Sequence, residues 1–93
     1  MSAATRKVIV TSRHGLHVRP CVAIVNTVAG RQANVTIHTD RQSVAAADLM
    51  GLLSLGASQG TELTLTATGP EAEEVLDALT GLFQGQFGVA YSG

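Results

Sequence analysis

The chain has 93 residues, of which 45% are hydrophobic and 14% are charged, and its formal net charge at pH 7 is −1. This length and composition indicate one compact domain and exclude a disordered chain, while the absence of excess positive charge argues against a nucleic-acid partner. The apolar run at residues 8–10 is too short for a signal peptide, no segment is long enough to span a bilayer, and the single cysteine, Cys21, fits a reducing compartment. We therefore expect a cytoplasmic protein that does not insert into membranes.

The hydrophobic pattern along the chain predicts seven elements in the order βαββαβα. Alternation of apolar and polar residues indicates strands, whereas apolar residues that recur every three or four positions indicate helices. Strands are predicted over residues 7–11, 34–38, 42–46 and 62–67, with a turn at Asp40 and Arg41 before the third strand. Helices are predicted over residues 18–29, ended by Gly30, over residues 48–53, capped by Asp48 and ended with the help of Gly56, and from Gly69-Pro70 to Phe83.

The first and last predicted helices each carry one apolar stripe that is expected to face a core. The stripe of the first helix consists of Val18, Cys21, Val22, Val25, Val28 and Ala29. The stripe of the last helix consists of Val75, Leu76, Leu79, Leu82 and Phe83. Because alternating strands leave one sheet face in water, the pattern predicts an α+β fold in which three helices cover one face of an antiparallel sheet.

The segment most suggestive of chemistry lies at the predicted start of the first helix and reads Gly15-Leu16-His17-Val18-Arg19-Pro20. Pro20 suits a first helical turn, and Gly15 lets the preceding turn bend tightly. The unpaired N–H groups of that turn and the positive end of the helix dipole attract anions, and Arg19 adds donors matched to phosphate oxygens. Because an imidazole is a nucleophile at neutral pH, the segment predicts a site that holds phosphate on His17. A surface histidine beside a solvated arginine would fit the same pattern.

These residues resemble the active-site signature of HPr, the histidine-containing phosphocarrier of the bacterial phosphoenolpyruvate-dependent sugar phosphotransferase system. A second block similar to the family follows in Leu49-Met50-Gly51-Leu52-Leu53-Ser54-Leu55-Gly56 and Gln59-Gly60-Thr61. The resemblance covers about residues 6–84 and implies a single domain over residues 1–93, with a four-stranded open-faced β-sandwich. Residues 85–93 contain three glycines and show no clear period, so we expect a frayed tail.

The same resemblance implies a function. Family members accept a phosphoryl group from phosphorylated enzyme I and pass it to the A component of a sugar permease. The resemblance therefore implies that His17 is the acceptor, through Nδ1, that Arg19 is the second candidate catalytic residue, and that Gly15, Val18 and Arg19 bind phosphate. Such a protein is a stoichiometric carrier rather than a classical enzyme, needs no cofactor and is expected to be a monomer.

Partners must dock over His17, and an apolar surface would receive them. The resemblance places Leu49, Met50 and Leu53 where partners meet a hydrophobic helix face, with Val22 nearby on the first helix. The same side chains could instead fill the core of a small domain. We expect at least part of the set to be exposed, and Met50 above all, because a flexible thioether suits several partners.

The chain departs from the family at several positions. Asp48 stands where many relatives in low-GC Gram-positive bacteria carry a regulatory serine, which excludes serine phosphorylation there. Its carboxylate fits an N-cap, the interpretation we favour, or weak mimicry of a phosphoserine. Lysines that many relatives carry around the docking face are replaced by Asn26, Ala29, Ala47 and Gly51. Fewer cations predict weaker steering of acidic partners, so the identity of the partners stays open.

Other functions also fit the sequence. One alternative is a regulatory module that keeps the histidine but acts mainly through protein binding in nitrogen or carbon regulation, and another is an interaction domain without phosphate chemistry. His14 and His17 have a spacing seen in metal sites, but no further ligand stands nearby, so no metal is expected. Cys21 is predicted to be a small buried residue rather than an activated thiol, and His38 to be exposed on the polar face of a strand.

Overall fold

The computed structural model describes residues 3–85 and contains the seven elements in the predicted order. The strands are β1 (Ala3–Ile9), β2 (Asn34–His38), β3 (Ser43–Ala45) and β4 (Glu62–Thr68). The helices are α1 (Val18–Val28), α2 (Leu49–Ser54) and α3 (Ala72–Gln84). Within residues 3–85, no helix combines the length and the hydropathy that a membrane crossing requires.

The four strands form one antiparallel sheet in the order β1-β4-β2-β3. Along β4, the side chains of Leu63, Leu65 and Ala67 are buried, whereas Thr64 and Thr66 lie on the other face and are only half-buried. The helices pack on the face that carries the leucines. The predicted α+β fold, an antiparallel sheet with three helices on one face, is confirmed.

Strand β1 differs from its predicted range. It spans Ala3–Ile9 rather than residues 7–11, because it pairs with β4 along its whole length, its first residue opposite Thr68 and its last opposite Glu62. Residues 3–7 are exposed or half-buried, so they join the sheet through backbone hydrogen bonds. Backbone pairing leaves no hydrophobic pattern in the sequence, which is why the early part of the strand was not predicted.

Helix α1 is rotated relative to its predicted core stripe. Its buried residues are Pro20, Cys21, Ala23, Ile24 and Val28. The prediction was wrong for Val18, Val22 and Ala29, which are exposed. The helix carries valines on two neighbouring faces, so periodicity alone does not distinguish them, and packing buries the face that includes the larger Ile24.

Helix α3 begins later than predicted. Its first residue is Ala72 rather than Gly69 or Pro70, and Glu73 and Glu74 lie in its first turn, where the helix dipole favours negative charge. Its predicted stripe is confirmed, with four residues buried and one half-buried: Val75, Leu76, Leu79, Phe83 and, half-buried, Leu82.

The helix ends follow the predictions. Gly30 after α1 and Gly56 after α2 both adopt a positive φ. At the end of α3, the N–H of Gly85 donates to the carbonyl oxygen of Gly81 at 2.9 Å. The rest of the predicted frayed tail, residues 86–93, lies outside the described residues.

Candidate functional site

A tight turn in front of α1 presents the candidate site. Gly15 adopts a φ of +72°, and its N–H donates to the carbonyl oxygen of Ser12 at 2.9 Å. The N–H of Leu16 donates to the carbonyl oxygen of Ala57 at 2.9 Å, which ties the turn to the loop after α2. A Cβ on Gly15 would overlap that same carbonyl oxygen, so only glycine permits the close approach.

Sequence reasoning missed the supporting role of Ala57. Its contribution comes from a backbone carbonyl, which any residue type carries, so the residue itself gives no signal. The only hint in the sequence was the family-like block Gln59-Gly60-Thr61, which follows directly and marks this loop as part of the motif.

His17 occupies the N-cap position of α1. Its backbone is extended, with φ −91° and ψ −168°, and its carbonyl oxygen accepts the N–H of Cys21 at 3.2 Å. The side chain of His17 makes no capping hydrogen bond. The N–H groups of the first turn point out of this helix end, which carries the positive end of the helix dipole. The imidazole of His17 therefore lies beside the N-terminus of α1 without capping it.

The imidazole of His17 is held by one of its two nitrogens. Nδ1 lies 3.1 Å from the carbonyl oxygen of Gly15, which also accepts the backbone N–H of His17 at 3.0 Å. Because a carbonyl oxygen can only accept, the tautomer that satisfies this contact carries its proton on Nδ1 and its lone pair on Nε2. Within residues 3–85, no hydrogen bond reaches Nε2. The half-buried ring thus keeps one nitrogen available for chemistry.

The other predicted phosphate-binding residues are contiguous with His17. Val18 and Arg19 are the first two residues of α1, and both are exposed. Pro20 follows as the third helical residue, which confirms its predicted place in the first turn. Arg19 and the backbone N–H groups of the first turn therefore belong to the same helix end as His17.

His14 lies against the candidate nucleophile. Its ring centroid is 5.8 Å from that of His17, and the two ring planes meet at 88°, an edge-to-face arrangement. Within the described part of the chain, no group of three or more His, Cys, Asp or Glu side chains is placed to hold a metal ion.

The predicted docking residues lie on α1 and α2, which pack against each other. Met50 is 72% exposed and Val22 is 36% exposed, whereas Leu49 and Leu53 are half-buried against the core. Val18, which the sequence placed in the core stripe, is 56% exposed and extends this surface to the residue next to His17. We call Val18, Val22, Leu49, Met50 and Leu53 the apolar collar.

Asp48 caps helix α2. Its Oδ1 accepts the N–H of Gly51 at 3.0 Å, and its backbone is extended, as an N-cap requires. The structure thus shows the local role favoured from the sequence. The cap explains the aspartate without any reference to a phosphoserine.

Cys21 and His38 are engaged elsewhere. Cys21 is fully buried, and burial raises the pKa of its thiol to about 11, so it is a structural residue as predicted. His38 is only half-buried, and both of its ring nitrogens lie close to hydroxyl groups, Nδ1 at 2.7 Å from Ser43 Oγ and Nε2 at 2.9 Å from Thr66 Oγ1. The expectation of a simply exposed His38 was incomplete, because its ring bridges strands β3 and β4 across β2.

The fold and the site together define a class of protein, a small open-faced sandwich with an imidazole at the N-cap position of its first helix. The chain belongs to the HPr family of phosphocarriers of the phosphotransferase system: residues 4–85 match the family described as PTS HPr component phosphorylation site.

Individual relatives agree with this assignment. Phosphocarrier protein HPr of Xylella fastidiosa (strain 9a5c) is 36% identical over 81 residues, which cover 87% of this chain and 91% of the relative. Phosphocarrier protein NPr of Escherichia coli (strain K12) is 33% identical over 79 residues, covering 84% of this chain and 88% of the relative. The crystal structure of HPr-C-His from Thermoanaerobacter tengcongensis has a TM-score of 0.84 at 34% identity and covers 95% of this chain and 97% of that one. The family resemblance read from the two sequence blocks is confirmed.

Proposed function

We propose that this chain carries a phosphoryl group on His17, accepting it from phosphorylated enzyme I and passing it to the A component of a sugar permease. The observation that carries the proposal is the position of His17, whose imidazole stands at the N-terminus of α1 without capping it. An uncapped helix N-terminus attracts an anion, and an imidazole can take up a phosphoryl group and release it. Membership of the HPr family supports the same role.

The transfer needs few parts. A lone pair on a ring nitrogen of His17 forms a bond to phosphorus while the phosphorus–nitrogen bond of the donor histidine breaks, and that electron pair returns to the donor nitrogen. The transition state is loose, so catalysis consists of positioning and charge stabilisation by Arg19 and the N–H groups of the first turn. Within residues 3–85, no carboxylate hydrogen-bonds the imidazole of His17, so no base is placed on that ring to activate water against the phosphohistidine.

The nitrogen of His17 that bonds phosphorus determines the protonation state and the orientation that the ring must have. The resemblance to the family implies Nδ1, yet in the described geometry Nδ1 faces the carbonyl oxygen of Gly15 and the lone pair lies on Nε2. Attack through Nδ1 requires that the proton move to Nε2 and that the ring turn away from Gly15. Nitrogen-15 chemical shifts of the phosphorylated protein identify the nitrogen that carries phosphorus.

The apolar collar supports docking next to the acceptor. Exposed Val18, Val22 and Met50 are apolar side chains that a protein partner can cover. The missing lysines leave less charge for steering, so apolar contact must supply more of the affinity than in lysine-rich relatives. The chain is expected to act as a single cytoplasmic domain and as a monomer, although one neighbour at 38% identity and a TM-score of 0.73 is a crystal structure of an HPr dimer from Thermoanaerobacter tengcongensis.

Regulation is a second candidate function. The solution structure of Crh, the Bacillus subtilis catabolite repression HPr, is a neighbour at 35% identity, so identity does not separate a carrier from a regulatory role. The two roles are distinguished by measuring whether the phosphorylated protein passes its phosphoryl group to an A component of a sugar permease. A phosphorylated protein that enzyme I charges, but that no A component of a sugar permease discharges, would favour the regulatory role.

The central test is labelling. Incubation with enzyme I and phosphoenolpyruvate is expected to add one acid-labile phosphate, seen by intact mass, and His17→Ala is expected to abolish it. His38→Ala is the matched control, because it removes a histidine whose two nitrogens are already hydrogen-bonded. Phosphate on His14 or His38, with His17→Ala still labelled, would contradict the assignment of the site.

A further inference from the structure

A second histidine stands beside the proposed acceptor. The ring of His14 lies 5.8 Å from that of His17 and edge-on to it. His14 is exposed, and within residues 3–85 its side chain makes no hydrogen bond. Its ring N–H is therefore available to a group that arrives on His17.

The backbone sets the relative position of the two rings. His14 directly precedes Gly15, whose N–H is bonded to Ser12 and whose Cα packs against the Ala57 carbonyl without room for a Cβ. On the other side, Nδ1 of His17 lies 3.1 Å from the Gly15 carbonyl oxygen. Both imidazoles thus project from one turn that the loop after α2 holds in place.

We propose that His14 is a second phosphate-contacting residue, which donates a ring N–H to the phosphoryl group carried by His17; this inference rests on the proposed function. A phosphoryl group bonded to a nitrogen of His17 extends past the edge of that ring, and the ring of His14 is near enough for hydrogen bonding to its oxygens. A neutral imidazole has one N–H donor, and an imidazolium has two donors and a positive charge. His14 therefore adds a donor to those proposed for Arg19 and for the helix end.

The residues that flank or face His14 carry no negative charge. Arg13 precedes it in the chain, His17 faces its ring and Arg19 lies in the first turn of α1, while residues 57–61 of the supporting loop contain no ionisable side chain. The phosphoryl group is an anion, so a donor on His14 meets no competing carboxylate among these residues.

Two substitutions separate the N–H donor from the ring. His14→Phe keeps an aromatic edge without a donor, and His14→Gln keeps a donor that cannot become charged. The phosphoryl donor is phosphoramidate, a small molecule that needs no docking surface. We expect His14→Phe to be phosphorylated on the order of tenfold more slowly than the wild type. His14→Gln retains a donor, so its rate is expected to lie closer to that of the wild type than to that of His14→Phe.

Controls keep the outcomes distinct. His38→Gln removes a remote histidine while retaining an amide for its hydroxyl neighbours, and its rate is expected to equal that of the wild type. Thermal melting of each variant excludes a loss caused by unfolding. Equal rates for His14→Phe and the wild type would overturn the role of His14, and a loss in His14→Gln as large as that in His14→Phe would overturn its role as a donor. A wild-type protein that never carries phosphate on His17 would overturn the proposed function instead.

Discussion

The N-termini of helices α1 and α2 are built in opposite ways. At α2, Asp48 occupies the N-cap position and its carboxylate accepts the N–H of Gly51 at 3.0 Å. At α1, His17 occupies the same position with a suitable extended backbone, but its side chain makes no capping hydrogen bond. The carboxylate of Asp48 caps one helix end, whereas the side chain of His17 leaves the other without a cap of its own.

The difference shows how a small domain sets stability against function. A helix without an N-cap forgoes about 0.5–2 kcal/mol of stability. At α1 even a capping side chain would find fewer donors, because the third helical residue, Pro20, has no N–H. The N–H groups that the side chain of His17 does not cap are the donors that the proposed phosphate site would use.

The largest expected effect comes from the turn before α1, which orients the N-terminus of that helix. Gly15→Ala places a Cβ against the Ala57 carbonyl oxygen and forces alanine into a positive φ. Overpacking and the left-handed backbone together are expected to lower the free energy of unfolding by about 2–4 kcal/mol. Chemical denaturation measures this loss, and labelling of the folded fraction reports whether His17 is still presented.

Gly30→Ala is the matched control for that variant. Gly30 has nearly the same φ, +76°, but a Cβ there meets no atom within 4 Å. Its expected loss is the backbone component alone, about 1–2 kcal/mol. Equal losses for the two variants would show that the contact with Ala57 does not hold the turn.

The second-largest expected effect concerns Arg19, in the first turn of α1. Arg19→Ala is expected to raise the barrier to phosphoryl transfer by about 1–3 kcal/mol while leaving the melting temperature nearly unchanged, because Arg19 is exposed and proposed to act on phosphate. Arg19→Lys is expected to restore part of the rate, since it keeps the charge and loses the planar fork. Arg41→Ala, on the turn between β2 and β3, controls for the loss of one positive charge. A large fall in melting temperature with normal transfer would assign Arg19 a structural role.

Sequence reasoning succeeded where the signal resides in side chains. The alternation in β4 and the apolar stripe of α3 identified the core face of each element, and both are confirmed. The cap at Asp48 was predictable because its chemistry involves only a neighbour three residues away.

The failures have physical reasons as well. The predicted buried face of α1 was wrong because valines occupy two faces of that helix, and only packing in the folded core distinguishes the faces. The Ala57 carbonyl was missed because backbone groups leave no trace in composition. The ring contact between His14 and His17 depends on a turn whose shape is set by a distant loop, so spacing alone could not show it.

A smaller expected effect tests the N-cap of α2. Asp48→Ala is expected to lower the free energy of unfolding by about 0.5–2 kcal/mol, because the N–H of Gly51 loses its partner, whereas Asp48→Ser retains a cap and nearly the wild-type stability. Denaturant midpoints of the two variants measure the difference. Unchanged stability of Asp48→Ala would contradict the role of the cap.

The same pair of variants tests whether Asp48 also acts as a standing negative charge. If it discourages acidic partners, both substitutions should speed phosphoryl exchange with enzyme I, most clearly at low salt. Exchange rates are compared at low and high ionic strength. Unchanged exchange in both variants would rule out mimicry of a phosphoserine and leave the cap as the sufficient explanation.

The smallest expected effect is a gain in stability from introducing a capping side chain at the N-terminus of α1. His17→Ser introduces a capping hydroxyl on a backbone that already has N-cap geometry, with φ −91° and ψ −168°. Because Pro20 offers no N–H, the gain in the free energy of unfolding should be at the low end of the usual range, about 0.5–1 kcal/mol relative to His17→Ala. Neither variant can carry phosphate on this residue, so the difference between them measures the cap without the chemistry. If His17→Ser is no more stable than His17→Ala, then the missing side-chain cap at the N-terminus of α1 costs no free energy of unfolding. The N-termini of α1 and α2 would then differ in geometry but not in stability.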